Sequence, residues 1–195
     1  MLRLPRPLIL ASQSPRRRAL LRQIGLDFSI QPSSVAEELQ PLDVPPQEYA
    51  AGLARQKAED VARRQTAPAY VLGADTIVVL DGEIMNKPAD ETEASVMLQR
   101  LSGRTHTVYT GLALAAAPEL TVRAAVQQTD VRFRELDPLE IAEYVAGGSP
   151  LDKAGAYGIQ DDFGAVFVEH IAGCYYNIVG LPLELLYRML RKIEG

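Results

Sequence analysis

The chain has 195 residues, of which 47% are hydrophobic and 23% are charged, and its formal net charge is −5. This composition is typical of a folded globular protein and excludes a disordered or collagen-like chain. The acidic balance also argues against nonspecific binding to nucleic acid, which usually needs a basic face. A single cysteine, Cys174, excludes an intramolecular disulfide and a cysteine zinc site, and two histidines exclude a His-rich metal centre.

The N-terminal stretch MLRLPRPLILAS has only a short apolar run, interrupted by Arg and Pro. It is too short for a membrane span and has no convincing signal-peptide core. We therefore expect a soluble cytoplasmic protein with no membrane partner. Residues 7–12 are almost wholly apolar, which predicts a short buried strand.

Residues 14–25, SPRRRALLRQIG, predict a helix that begins with a Ser14 cap and ends at Gly25. Its first turn carries three arginines, although the positive end of the helix dipole disfavours each cation there by up to about 1 kcal/mol. A bound anion would offset this cost, because helix N–H groups and guanidinium groups both bind phosphate oxygens. The alternative is that the arginines point into water. On the first interpretation, the candidate phosphate ligands are Ser12, Ser14, Arg16 and Arg17.

Residues 26–45 contain three prolines and predict mostly loop or irregular strand. The acidic pair Glu37–Glu38 in this loop is either solvated or ligates a hard cation such as Mg²⁺, together with phosphate oxygens. Residues 46–64 predict a helix with Lys57 on its apolar stripe. That lysine either extends its ammonium group to solvent or joins a cluster of cations.

Residues 70–88, YVLGADTIVVLDGEIMNKP, predict a β-hairpin with its turn at Asp81–Gly82. Asp75 lies in an otherwise apolar run, and buried carboxylates are usually paired, metal-bound or catalytic. The alternative is a carboxylate that caps a turn at a strand end. Lys87 follows the second strand, so an antiparallel hairpin could bring it near Asp75, as a salt-bridge partner or as one more cation.

The rest of the chain alternates helices and strands, which predicts an α/β fold with a mixed sheet. Helices are predicted over residues 90–101, 136–148 and 182–193, and strands over 105–117, 120–134, 165–171 (AVFVEHI) and 175–181 (YYNIVGL). Residues 149–164 predict a loop with a short turn or helix inside it. His106 and His170 lie in strand patterns and are expected to be structural.

Several segments in order resemble the Maf family of nucleoside triphosphate pyrophosphatases. They are LASQSPRRRALL, LARQKA, VLGADTIVVLDGEIMNKP, LSGRTHTVYTGLAL, DKAGAYGIQ and YYNIVGLPL. They extend from about residue 8 to residue 183, so a single domain over residues 1–195 is expected. The resemblance implies an inosine-triphosphatase-like α/β fold, with an elongated mixed β-sheet, flanking helices and two lobes around a nucleotide cleft.

The resemblance also implies hydrolysis of a nucleoside triphosphate to the monophosphate and pyrophosphate, with a divalent cation, Mg²⁺ or Mn²⁺. The family's proton-accepting aspartate falls on Asp75, which could act as base, as metal ligand or as both. The family's specificity positions fall on Arg16, Thr76 and Gln160. Its other cleft residues fall on Ser12, Arg17, Glu37, Lys57 and Lys87. Glu38 is a near-equivalent of Glu37, and spacing favours Glu37 as the metal ligand beside Asp75.

Three short motifs bear on the substrate. SPRR, ADT and AYGIQ resemble the branch of the family that acts on dTTP and UTP, whereas the branch that acts on 7-methyl-GTP has SPWR, SDQ and SFKSE. We expect dTTP and UTP as substrates, with modified pyrimidine nucleotides as further candidates. The alternatives are a 7-methyl-GTP pyrophosphatase and a non-catalytic nucleotide-binding regulator of cell division. The resemblance also suggests a homodimer, and no nucleic-acid partner is expected.

Overall fold

The computed structural model describes residues 3–35, 44–160 and 163–194. Within them the strands are β1 (Leu8–Leu10), β2 (Ser29–Ile30), β3 (Ala69–Leu80), β4 (Glu83–Met85), β5 (Thr105–Ala117), β6 (Thr121–Phe133) and β7 (Val168–Ala172). The α-helices are α1 (Pro15–Gln23), α2 (Pro46–Ala62), α3 (Glu91–Leu101), α4 (Pro138–Ala146), α5 (Tyr175–Val179) and α6 (Leu183–Glu194). Short 3-10 helices cover Ser149–Asp152, Ala154–Ala156 and Phe163–Phe167.

The described strands form one mixed sheet in the order β2-β1-β3-β5-β6-β7, with β4 paired to β3. Strand β1 runs parallel to both β2 and β3, whereas β4 is antiparallel to β3 and β7 is antiparallel to β6. The prediction of an α/β fold with a mixed sheet and flanking helices is confirmed. No helix in the described parts of the chain is long and apolar enough to cross a membrane.

Local side-chain chemistry sets three helix starts, and the predicted Ser14 cap is among them. The Ser14 hydroxyl accepts a hydrogen bond from the Arg17 N–H, and Pro15 occupies the first position of α1. The Asp90 carboxylate accepts from the Glu93 N–H at 2.8 Å at the start of α3. The Asp137 carboxylate accepts from the Leu139 N–H at 2.8 Å at the start of α4. These caps satisfy helix N–H groups that have no partner inside the helix.

The C-terminal third differs from prediction at two places. The predicted strand YYNIVGL is wrong, because Tyr175–Val179 forms the short helix α5. The buried Asn177 side chain donates to the Val108 carbonyl and to the Thr129 hydroxyl, both at 2.9 Å, and these contacts with remote strands hold the helical turn. The predicted strand AVFVEHI is only partly right, because residues 163–167 are a 3-10 helix and β7 begins at Val168.

The chain divides into two compact units. Unit 1 comprises Met1–Asp75, Thr110–Gln127 and Gly180–Gly195, and unit 2 comprises Thr76–Tyr109 and Gln128–Val179. A core cluster of unit 1 consists of alanines, valines and Ile9, whereas a core cluster of unit 2 contains large aliphatic and aromatic side chains. The single-domain assignment over residues 1–195 stays a prediction.

Candidate active site

Helix α2 packs very closely on two strands of unit 1. A Cβ atom at Gly73 of β3 would lie 2.1 Å from the Ala54 carbonyl oxygen, and one at Gly111 of β5 would lie 2.2 Å from the Ala50 carbonyl oxygen. Real Cβ atoms do not approach other atoms this closely, so only glycine fits at these two positions. The contacts place the α2 backbone directly against the sheet. They therefore fix how far the neighbouring side chains of α2 lie from the sheet.

Lys57 of α2 and Asp75 of β3 form a buried ion pair. The Lys57 Nζ atom donates to Asp75 Oδ1 at 2.6 Å, and each side chain is only 9% exposed. Each charge offsets part of the desolvation cost of the other, which would be several kcal/mol for an isolated buried ion. Two alternatives from the sequence are therefore wrong. Lys57 does not extend to solvent, and Asp75 lies inside a twelve-residue strand rather than at its end.

The start of α1 is held by its own serines and by Arg17. The Ser12 hydroxyl accepts from the Ser14 N–H and from Arg17 Nη1, both at 3.2 Å. Arg17 Nε donates to the Gly180 carbonyl at 2.9 Å. The alternative that this arginine points into water is therefore wrong for Arg17, whose guanidinium group is ordered within unit 1. Arg16 lies in the same first turn and is half-buried.

Strand register places Asp75 beyond the carboxyl end of β1, in the direction in which β1 leads into α1. Leu10 of β1 is opposite Leu72 of the parallel strand β3, and the Ala11 N–H donates to the Leu72 carbonyl at 2.9 Å. Beyond this level, β1 leads into the α1 start, and β3 continues three residues to Asp75. The carboxyl ends of parallel strands are where ligands bind in open α/β sheets.

The remaining candidates lie in unit 2. Thr76 is half-buried on β3, and Lys87 is exposed two residues beyond the end of β4. The pairing of Val78 with Met85, carried on by two residues, would set Lys87 level with Thr76. Gln160 is half-buried and follows the buried run Tyr157–Ile159. The expected proximity of Lys87 to Asp75 stays a prediction.

The acidic residues proposed for a metal are only partly described. Glu37 and its near-equivalent Glu38 lie outside the described residues. Within residues 3–35, 44–160 and 163–194, no group of three or more His, Cys, Asp or Glu side chains is placed to hold a metal ion. Asp75 still offers a hard carboxylate, and Mg²⁺ typically takes one or two carboxylates plus substrate phosphate oxygens. The donor chemistry therefore fits a cation that binds together with the nucleotide rather than one held by a preformed protein cage.

The structure draws attention to three side chains of unit 2 to which the sequence assigned no active-site role. Lys153 is only 9% exposed, and its ammonium group donates to the Asp152 carboxylate at 2.8 Å. His106 and Tyr157 are buried and hydrogen-bonded to each other at 2.8 Å. All three lie in segments that resemble the family, DKAGAYGIQ and LSGRTHTVYTGLAL. This resemblance is the sequence feature that could have pointed to them. His106 was expected to be structural, and its buried position in β5 agrees with that expectation.

A protein whose first helix begins with arginines, at the carboxyl end of a parallel strand and in an α/β fold, belongs to a class suited to binding phosphorylated ligands. Within this class, the model of the Maf-like protein family matches residues 7–193. The chain belongs to the Maf-like protein family.

Two relatives illustrate the similarity. A dTTP/UTP pyrophosphatase of Salinibacter ruber is 52% identical over 191 residues, covering 98% of this chain and 93% of the relative. A dTTP/UTP pyrophosphatase of Carboxydothermus hydrogenoformans is 48% identical over 183 residues, covering 94% and 96%. Among solved structures, the Ham1 protein of Staphylococcus aureus aligns with a TM-score of 0.49 and 14% identity, over 95% of this chain and 98% of that one. This last likeness is too distant to add to the family assignment.

Proposed function

We propose that this protein is a nucleoside triphosphate pyrophosphatase that hydrolyses dTTP and UTP to the monophosphate and pyrophosphate. The observation that carries the proposal is the buried Lys57–Asp75 pair, in which Asp75 lies on β3 three residues beyond the level where β1 leads into the arginine-bearing start of α1. The names of the relatives, which are 48% and 52% identical over nearly the whole chain, support the reaction and the substrate class.

Unit 1 supplies the chemistry in this proposal. The hydroxyl and guanidinium groups at the start of α1, together with Lys57, bind the phosphate oxygens. The residues involved are Ser12, Ser14, Arg16, Arg17 and Lys57. These groups are in place before the substrate binds, so they stabilise the charge that develops on the phosphoryl oxygens without reorganising.

Asp75 acts on the attacking water. Its carboxylate accepts a proton as the water oxygen forms a bond to the α-phosphorus, while the bond from the α-phosphorus to the bridging oxygen of the β-phosphate breaks. The electron pair leaves with pyrophosphate. Lys57, held 2.6 Å from Asp75 Oδ1, orients the carboxylate and places a positive charge beside the phosphates.

A divalent cation, Mg²⁺ or Mn²⁺, belongs to the proposal as a cofactor. Asp75 would hold it, with Glu37 as the second carboxylate. When bound, such a cation neutralises charge on the phosphate oxygens. Metal titration of the Asp75→Asn protein distinguishes the roles of Asp75 as base and as metal ligand.

Three further residues supply substrate contacts and selectivity in this proposal. Lys87 binds phosphate, and Thr76 and Gln160 contribute to the choice of nucleotide. The Gln160 amide has both donor and acceptor atoms, which match the two carbonyls and the N–H of uracil and thymine. The two bases share that edge and differ by the 5-methyl group, so one site accepts both dTTP and UTP, and modified pyrimidine nucleotides are further candidates.

The proposal is tested with the purified full chain and a panel of dTTP, UTP, CTP, GTP and 7-methyl-GTP, each with and without Mg²⁺ or Mn²⁺. We expect metal-dependent release of pyrophosphate and monophosphate, fastest with dTTP and UTP. Release of orthophosphate would contradict the reaction. Preference for 7-methyl-GTP would support the other branch of the family. Nucleotide binding without turnover would support the regulator.

Three further parts of the proposal concern the setting of the protein. The substrate class suggests a cytoplasmic location, where nucleoside triphosphates are abundant. No nucleic-acid or membrane partner is proposed, in keeping with the net charge of −5. A homodimer stays a prediction, and light scattering at several protein concentrations tests it.

A further inference from the structure

A buried polar pair lies in the aromatic core of unit 2. His106 Nε2 and Tyr157 Oη are 2.8 Å apart, and the two residues are 2% and 5% exposed. Phe133 packs edge-on against both rings, with centroid distances of 5.0 Å to His106 and 4.7 Å to Tyr157. Within the described residues, His106 Nδ1 has no hydrogen-bond partner. The bond to Tyr157 is therefore the polar contact that holds the imidazole ring.

Tyr157 belongs to a short segment that leads to Gln160. Just before it, the Gly155 N–H donates to the Asn86 carbonyl at 3.1 Å, and a Cβ at Gly155 would lie 3.1 Å from the Val78 side chain. Ala156 has a φ of 61°, a left-handed conformation that a residue other than glycine adopts only when its surroundings impose it. The backbone path before Tyr157 is thus determined by contacts with β3 and with the chain after β4.

The hydrogen bond between His106 and Tyr157 fixes the position of the Tyr157 ring more tightly than apolar packing would. Two apolar side chains at these positions would avoid the cost of desolvating an imidazole and a phenol. A hydrogen bond is directional, so it fixes how deep the Tyr157 ring lies and where its backbone leaves the core. Gln160 follows three residues later, at most about 10 Å along an extended chain. Because this segment is so short, a displacement of Tyr157 also displaces Gln160.

Burial keeps the pair in one protonation state. It lowers the pKa of His106 to about 4, although the Asp130 carboxylate partly opposes this shift, and it raises the pKa of Tyr157. His106 is therefore a neutral imidazole across the physiological pH range, and the bond to Tyr157 persists there.

We propose that His106 and Tyr157 are positioning residues that set the location of the Gln160 amide, and that they thereby determine selectivity for pyrimidine nucleotides. The inference rests on the proposed function, because it assigns Gln160 the task of reading the base. Neither residue touches the substrate, and both act through the 157–160 segment.

The test compares Tyr157→Phe, which removes one oxygen atom, with Gln160→Ala and with the double variant. The readout is the ratio of kcat/KM for dTTP to kcat/KM for GTP. We expect Tyr157→Phe to lower this ratio about tenfold, through a higher KM for dTTP with kcat changed less than about twofold. In the Gln160→Ala background the same substitution should change the ratio no further, because both act on one contact.

A matched control lies in the same aromatic core. Tyr144 is 6% exposed on α4 and packs edge-on against Phe167 at 5.1 Å. It lies close enough to Tyr157 to interact with it electrostatically, but it is not the hydrogen-bond partner of His106. Tyr144→Phe should leave the dTTP-to-GTP ratio unchanged, even if it alters stability. His106→Phe breaks the His106–Tyr157 bond from the other side and should reproduce the Tyr157→Phe effect, so either variant serves if the other folds poorly.

Different failures have different meanings. If Gln160→Ala lowers the ratio and both Tyr157→Phe and His106→Phe leave it intact, the positioning role is wrong and the proposed function stands. If Gln160→Ala also leaves the ratio intact, Gln160 does not read the base and the inference is wrong together with that assignment. The proposed hydrolysis of dTTP and UTP is tested separately by pyrophosphate release. If Tyr144→Phe lowers the ratio as much as Tyr157→Phe does, the effect is general loosening of the core, which also overturns the inference.

Discussion

The two units bury different kinds of side chains and place their candidate residues by different means. In unit 1, alanines and glycines let the α2 backbone approach β3 and β5 within contact distance, and a short ion pair forms beside that contact. In unit 2, large rings fill the core, and a hydrogen bond among them ties the 157–160 segment to β5. Close backbone packing suits a charged pair that must stay in one geometry, whereas an aromatic core can hold a neighbouring loop segment in place.

The largest expected effect comes from substitution of Asp75, the carboxylate of the unit 1 ion pair. Asp75→Asn removes the proposed base and one charge with little change of shape, and we expect dTTP turnover to fall by roughly two to four orders of magnitude. Steady-state pyrophosphate release measures it. The control is Asp90→Asn, since asparagine caps a helix about as well as aspartate. A folded Asp75→Asn protein with near-normal turnover would remove Asp75 from the mechanism.

Close packing in unit 1 is tested by adding a single methyl group. Gly73→Ala would push its Cβ against the Ala54 carbonyl, and backbone atoms cannot swing aside. We expect a loss of about 3 kcal/mol in the free energy of unfolding, the upper end of ordinary overpacking. Because α2 must move, the Lys57–Asp75 pair should open and dTTP turnover should fall as well.

The control for this substitution lies on α2 itself. A Cβ at Gly52 meets nothing within 4 Å, so Gly52→Ala should stabilise the protein by up to about 1 kcal/mol through helix propensity. Urea unfolding of both variants measures the two opposite shifts. If Gly73→Ala were tolerated as well as Gly52→Ala, close packing would not be what positions Lys57.

The aromatic core of unit 2 predicts a pH dependence of stability. Burial lowers the pKa of His106 to about 4, so between pH 6.5 and 4 the unfolded chain binds a proton that the folded protein does not bind. The stabilisation is complete above about pH 6.5 and is lost as the pH falls toward 4, by up to about 3 kcal/mol.

Denaturation at several pH values compares the wild type with His106→Phe. The variant should lack this part of the slope, while the carboxylates contribute equally to both proteins. Identical slopes between pH 5 and 6.5 would show that His106 is not held neutral by the core.

The smallest predicted effect concerns Arg16, which is half-buried in the first turn of α1. Arg16→Ala should weaken nucleotide selection about tenfold, as expected for the loss of one charge-assisted contact. The matched control is Arg22→Ala in the last turn of the same helix. An unchanged preference across the triphosphate panel would reject a specificity role for Arg16.

Much of the local structure was predictable because its causes are local. The caps at Ser14, Asp90 and Asp137 each bond to a backbone N–H two or three residues away. The Asp81–Gly82 turn between β3 and β4 was predictable in the same way, because its signal lies in the turn residues themselves. Helix α5 was mispredicted because the bonds that hold Asn177 come from Val108 and Thr129, at 69 and 48 residues' distance.

The candidate site divides in the same way. The residues alone led to the prediction that the start of α1 binds an anion and to the hypothesis of a functional role for Asp75. A charge in an apolar run and arginines at a helix start each cost free energy that a function could offset. The family resemblance, which the comparisons confirm, supplied the reaction and the assignments of Thr76 and Gln160. The identity of the Lys57 partner did not follow from either.

The amino-acid sequence by itself determined the family, the alternation of helices and strands and most helix starts, because neighbouring residues carry that information. Only the tertiary structure decided that Lys57 pairs with Asp75 and that His106 pairs with Tyr157. The first two residues are 18 positions apart in the chain and the second two are 51 apart. Whether they meet depends on how closely a helix or a loop approaches the sheet. That approach is set by the summed packing of many side chains, such as the missing Cβ atoms of Gly73 and Gly111, and no short stretch of sequence specifies it.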